Sequence, residues 1–145
     1  MSVQKITRGA QWPLVAEFTF NFDDTMVDTT GASKDFGLTN IAATAFDIIN
    51  LPYNAVVIGG DVVTETALDT ASYAVTVGDA TTANRYLGST DIKSAGRTAL
   101  VPTGYVSDGG SVRLTVTNAD VCTAGKVTVR VMYTIRNRTN EVQPN

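Results

Sequence analysis

Lys126-Val127-Thr128-Val129-Arg130-Val131-Met132-Tyr133-Thr134-Ile135-Arg136 is the stretch that decides the fold. Val127, Val129, Val131, Tyr133 and Ile135 fall on one side, and Thr128, Arg130, Met132, Thr134 and Arg136 on the other. A period of two residues belongs to a strand with one face in a core and one in water. Ser111 to Asn118 repeats it, with Val112, Leu114 and Val116 against Arg113, Thr115 and Thr117. Leu14 to Phe22 does so again, setting Leu14, Ala16, Phe18, Phe20 and Phe22 against Glu17, Thr19 and Asn21.

Shorter runs complete the set. Thr44 to Leu51 presents Phe46 and Ile48 inward and stops at Pro52, which cannot donate to a central ladder. Ala55 to Ile58 is apolar until Gly59-Gly60 breaks or bulges it, and Asp61 to Thr66 resumes the alternation. Ser72 to Val77, Arg85 to Ser89 and Thr98 to Val101 are further strands, separated by Gly, Asn and Asp turns. The best helical window, Asp91 to Ala99, is interrupted by Gly96. Thr25 to Asn40 lacks a strong pattern and reads as a surface loop or short strand edge. About eight strands predict an all-β, two-sheet sandwich of jelly-roll type. Residues 1–145 are expected to form one such domain, with residues 1–11 and 137–145 as extended polar N- and C-terminal arms.

Composition excludes several chemistries. The chain has no histidine and one cysteine, Cys122. Ser-His-Asp and Cys-His nucleophile systems are therefore impossible, and a thiolate cage for zinc cannot be built. Cys122 forms no disulfide within the chain and is expected to be a partly buried small residue near a turn. No apolar run approaches the ~20 residues that cross a bilayer, and Met1 to Pro13 has no signal-like apolar segment. These features fit synthesis in a host cytoplasm.

Only 17% of residues are charged, against about 25% in typical soluble domains. The net charge of −3 is uneven: residues 11–80 hold ten acids and one base, residues 81–145 eight bases and four acids. Such a division suits complementary contact between subunits, or mixing within one sheet. The bases are too dispersed for a nucleic-acid footprint.

Candidate sites were weighed against cheaper readings. Asp23, Asp24 and Asp28 are close enough to offer oxygens to a cation, but match no calcium loop and suit turn capping equally. Glu17, Asp47 and Glu65 lie on strands and invite an acid/base pair, though exposed strand carboxylates are far commoner. Trp12 and the five tyrosines offer a sugar-stacking platform, but Tyr73, Tyr86 and Tyr133 sit where packing explains them. No catalytic, metal or cofactor site is expected.

Three stretches carry a family resemblance. They are Leu51-Pro52-Tyr53-Asn54-Ala55-Val56-Val57-Ile58-Gly59-Gly60, Asn84-Arg85-Tyr86-Leu87, and Ala95-Gly96-Arg97-Thr98-Ala99-Leu100-Val101-Pro102-Thr103-Gly104-Tyr105. Over roughly residues 50–136 the chain resembles the capsid decoration, or cement, proteins of tailed double-stranded-DNA bacteriophages. The resemblance implies a non-enzymatic virion protein on the capsid exterior that stabilises the shell by bridging major capsid protein subunits. The low charge fraction and the acid/base division of the chain predict a homo-oligomer, and the resemblance leans that towards a homodimer before a trimer; no cofactor, nucleic acid or membrane partner is expected. Lys5, Arg8, Arg136 and Arg138, at or beside the two ends, are the expected partner contacts. A receptor- or glycan-binding β module of a head or tail fibre is the alternative, since such modules share the Thr/Val/Gly-rich style. A hydrolase working with carboxylates alone is the third reading.

The alternation predicts that Val129→Asp or Val131→Asp abolishes folding by burying an unpaired charge, while Thr128→Asp, on the opposite face, is far milder. The yield of soluble protein from the three variants checks the face assignment.

Overall fold

A computed structural model describes residues 12–136, none of them helical. Eleven strands follow in order: β1 (Leu14–Asn21), β2 (Thr25–Val27), β3 (Ser33–Asp35), β4 (Thr44–Asn50), β5 (Tyr53–Thr66), β6 (Tyr73–Gly78), β7 (Leu87–Asp91), β8 (Gly96–Ala99), β9 (Val106–Asp108), β10 (Ser111–Asn118) and β11 (Lys126–Ile135). One sheet has the order β1-β11-β5-β8, with β9 also on β5; a second has the order β4-β10-β6-β7; β2 and β3 form a small hairpin.

The pairing is nested. β1 pairs with β11, β4 with β10, β5 with β8 and β9, and β6 with β7, all antiparallel. β8 lies on Asp61–Thr64 and β9 on Tyr53 and Val56, so the two are halves of one interrupted edge. Counted this way there are eight principal strands in the orders 1-8-3-6 and 2-7-4-5. A long double strand rolled over a core gives this arrangement, which is the jelly roll.

The expected inner faces meet in that core. Val127, Val129 and Val131 from β11, Val112, Leu114 and Val116 from β10, and Val75 and Val77 from β6 are all buried. An aromatic row crosses the sandwich: Phe20 stacks on Phe36 at 4.2 Å, Phe36 lies 4.4 Å from Phe46, and Phe18 flanks Phe36 at 6.0 Å. Tyr73 is fully buried and donates its hydroxyl to the Phe36 carbonyl at 2.7 Å. Burial pushes that phenol far above its ordinary pKa.

Four expectations need correction. The segment 25–40 takes the short-strand alternative and not that of a surface loop: it carries the β2–β3 hairpin, and it also delivers Phe36, which the sequence did not place in the core, to the middle of the aromatic row. In β4 the fully buried residues are Phe46 and Ile49, with Leu51 just past its end, because a register shift opposite Val112 and Arg113 passes over Ile48, which is left half-buried against the core. Cys122 is wholly rather than partly buried, and burial raises its thiol pKa. Thr128 faces outward yet is only 7% exposed, its hydroxyl donating to Glu65 and lying 2.9 Å from that of Thr19. Aspartate there would sit against Glu65, so the mild outcome expected from alternation alone is not what this contact implies.

β5 makes the other phase change. Ala55 and Val57 point inward, but so do Val62 and Thr64, and the register against β11 skips Ile58. The extra residue of this bulge is Ile58; two residues on lies Gly60, whose φ is +133° and where a Cβ would run into the Arg130 carbonyl oxygen. Gly60→Ala is therefore expected to cost at least about 2 kcal/mol. Gly88→Ala, on β7 with open space around it, should stay within about 0.5 kcal/mol. Urea unfolding of both variants checks the contrast.

Candidate interaction face

The phase change at Ile58 decides what the outer face of the five-stranded sheet presents. Outward side chains line up in rows across the strands. Val15, Met132 and Gly59 form one row, Glu17, Arg130 and Asp61 the next, and Thr19, Thr128, Val63 and Arg97 a third. The middle row alternates in charge, as cross-strand neighbours should.

Asp61 is its centre. Its residue is 5% exposed, and its two oxygens accept from Arg130 Nε and Nη2, both at 2.8 Å, and from Arg97 Nε at 2.6 Å. The bidentate Arg130 contact lowers the Asp61 pKa; burial pushes the other way, and Arg97 adds to the lowering. Beside it, Glu65 accepts from Thr128 and pairs with Lys126 at 3.2 Å, and both hold its carboxyl below the usual range.

Beyond the charged row the face turns apolar. Val15 is 60% exposed, and with Met132 and Gly60 it borders a shallow depression of about 250 Å³ floored by Asp61, Arg97 and Arg130. Ile58 and Val101 are also exposed large apolar residues, and Trp12, just before β1, is 84% exposed.

The three stretches that carried the family resemblance converge at this sheet. The Leu100 N–H donates to Gly60 and the Val101 N–H to the Tyr86 carbonyl. Arg85 stacks over Tyr105 at 3.5 Å from the ring centroid and pairs with Asp79 at 2.5 Å. The exposed tip Val101–Gly104 is thus pinned at both ends. Together these contacts build a clasp around that tip.

The sequence candidates disperse. Asp24 caps the Asn21 N–H and Asp28 caps its own turn through Thr30 and Ala32. Asp47 pairs with Arg113 at 2.9 Å on the opposite sheet, whereas Glu17 and Glu65 border one shallow depression. The carboxyls that leave their usual range, Asp28, Asp61, Glu65, Asp69 and Asp79, all leave it downward. A general acid needs the reverse. Among the tyrosines, Tyr73 and Tyr86 are buried, Tyr105 lies under Arg85, Tyr133 packs against the core, and Tyr53 is exposed. Arg136 is exposed just after β11, its N–H bonded to the Asn54 carbonyl at 2.8 Å. Lys5, Arg8 and Arg138 lie outside the described residues.

The Asp61 network escaped sequence reasoning, although Arg130 was placed outward correctly. Its signal was the Gly59-Gly60 pair, which marks a change of phase and so moves Asp61 onto the face of Arg130.

No protein-family model matches the chain, and no curated protein matches it in sequence. Solved structures do resemble it. A chain of the cyanophage Pam1 capsid asymmetric unit is 21% identical, with a TM-score of 0.59 over 93% of this chain and 91% of its own. What the two share is the fold. A chain of the acid-stable capsid of Helicobacter pylori bacteriophage KHP30 is 20% identical, with a TM-score of 0.58 over 85% of this chain and 87% of that one. A chain of the Ralstonia phage GP4 capsid is 13% identical, with a TM-score of 0.57 over 93% and 91%.

Asp61→Asn is expected to lower stability at neutral pH by about 1–3 kcal/mol, since it weakens charge-assisted bonds at a buried group. The folded pKa of Asp61 lies below its ordinary 3.8. Its contribution is therefore complete above that value and lost as the pH falls through the folded pKa. Denaturant titration at pH 7 and at pH 3 should show the gap between wild type and variant narrowing in acid.

Proposed function

We propose that this chain is a structural virion protein, bound to the outside of a bacteriophage capsid, that stabilises the shell by bridging neighbouring major capsid protein subunits. One observation carries the reading. The likeness to chains of phage capsids extends over nearly all of both partners. Those chains are therefore of about the same size as this one, and a small free-standing jelly roll in a capsid is an accessory to the shell rather than a piece of a larger enzyme.

The chemistry of the described residues supports it. A clamp needs stability and contact area, not turnover. The acids here are spent on turns and ion pairs, and the outer face combines a satisfied charge row with exposed apolar groups. Many weak contacts repeated over a shell add by avidity. Lys5, Arg8, Arg136 and Arg138 serve as the polar ends of the clamp, pairing with acids on the shell. The glycan-binding alternative is less favoured, because the tyrosines it needs are mostly committed to packing.

The test adds purified protein to particles stripped of it and measures occupancy and the temperature of DNA release. The intact chain should bind and raise that temperature. Exposed ion pairs are each worth about 0–1 kcal/mol, so Arg136→Ala alone should change binding less than about fivefold. Deleting residues 1–11 or 137–145 should weaken it clearly. An intact chain that does not bind particles, or binds without protecting them, overturns the reading; trimmed chains that protect as well as the intact one move the clamp onto the sandwich.

A further inference from the structure

We propose that two copies of this chain join through the free edge of β1, antiparallel about a two-fold axis at Phe18, so that the five-stranded sheet of one copy continues into the other. The inference rests on the geometry of β1 and holds whether or not the chain occupies a capsid.

Each sheet ends in two edge strands, and an open edge invites another strand unless it is blunted. Three of the four edges are blunted. The β8/β9 edge is split into pieces of four and three residues. β7 is short and shifts register against β6. β4 carries a register shift, and its Ala45 carbonyl already accepts the Thr29 N–H. β1 differs: it pairs with β11 over eight residues without a shift, has no proline, and carries one charge, Glu17.

The backbone shows which groups are open. The Phe22 N–H donates to Gly125 across the ladder, so Phe20, Phe18, Ala16 and Leu14 turn their N–H and C=O toward β11. The odd residues turn away. Asn21 is closed, because Asp24 caps both its N–H and its C=O. Val15, Glu17 and Thr19 remain, and among the described residues no second strand pairs with β1.

A second copy of β1 fits this edge in one register best. With the axis at Phe18, Glu17 lies opposite Thr19 of the second copy and Thr19 opposite its Glu17, each pair exchanging both backbone bonds. The pairing then stops where the Asp24 cap begins. An axis at Glu17 would set like charges directly opposite each other, which is unfavourable. An axis at Ala16 would set two alanines at the central close pair and put Thr19 opposite Pro13, which has no N–H to offer. At Phe18 the two rings meet at a closely spaced, non-hydrogen-bonded site. Phe18 is the half-buried end of the aromatic row, 6.2 Å from Phe20 and 6.0 Å from Phe36, so the row would continue into the partner.

The experiment uses the full-length chain free of particles. Sedimentation equilibrium over a range of concentrations should show a dimer. Glu17→Pro removes an outward N–H, which an edge strand tolerates, together with one exposed carboxylate; it should leave the far-UV circular dichroism unchanged and weaken self-association at least tenfold, whereas Glu17→Gln, which keeps the N–H, should still dimerise. Hydrogen exchange on the unmodified chain gives a second readout independent of the variant. The Glu17 and Thr19 amides should be protected at high concentration and exposed on dilution, while the Phe18 and Phe20 amides stay protected throughout. A chain that is monomeric at every concentration overturns the proposal. So does a folded Glu17→Pro variant that still dimerises, or exchange at Glu17 and Thr19 that ignores concentration.

Discussion

The ladder between β5 and β11 carries both faces of the larger sheet, and its phase change at Ile58, just before Gly59-Gly60, is the constraint on which the rest depends. Before Gly60, Ala55 and Val57 enter the core; after it, Val62 does. Without that shift, Val62 would face water and Asp61 would enter the sandwich as a buried charge without partners. With it, Asp61 lands between Arg97 and Arg130 on the outer face. A buried carboxylate is tolerable only when its oxygens are occupied, and here both are.

From that ladder the jelly roll follows by closure. β1 extends it on one side and β8 with β9 on the other, while the second sheet folds across the valines of β11. The loop joining β8 to β9 interrupts one edge of the sheet. The Arg85–Tyr105 stack and the Asp79–Arg85 pair hold it there. Arg85, Tyr105 and their neighbours thus serve the architecture. Function in such a molecule resides in what its surfaces touch.

That division explains why the surface looks as it does. Most outward acids and bases already have partners within the chain, so few charges are left to attract ligands. Val15, Ile58 and Val101 stay exposed, and they cost solubility unless another surface covers them. Acid is the condition in which the internal pairs fail, because every shifted carboxyl here titrates below its usual range.

By itself the sequence determined the all-β class, the two long strands Ser111–Asn118 and Lys126–Ile135, and the valines that fill the core. Alternation is a property of consecutive residues, so it can be read without knowing what lies across the sheet. Tertiary structure alone decided where the phase changes. Ile49 replaced Ile48 in the core, Asp61 joined Arg130, and Phe36 left an unpatterned loop to stack on Phe20. Each of these depends on a neighbour distant in sequence: the register of a partner strand, a guanidinium on another strand, or a gap in a packed interior. The open edge of β1 belongs with them, because a strand becomes an edge only when the order of the sheet leaves nothing beside it.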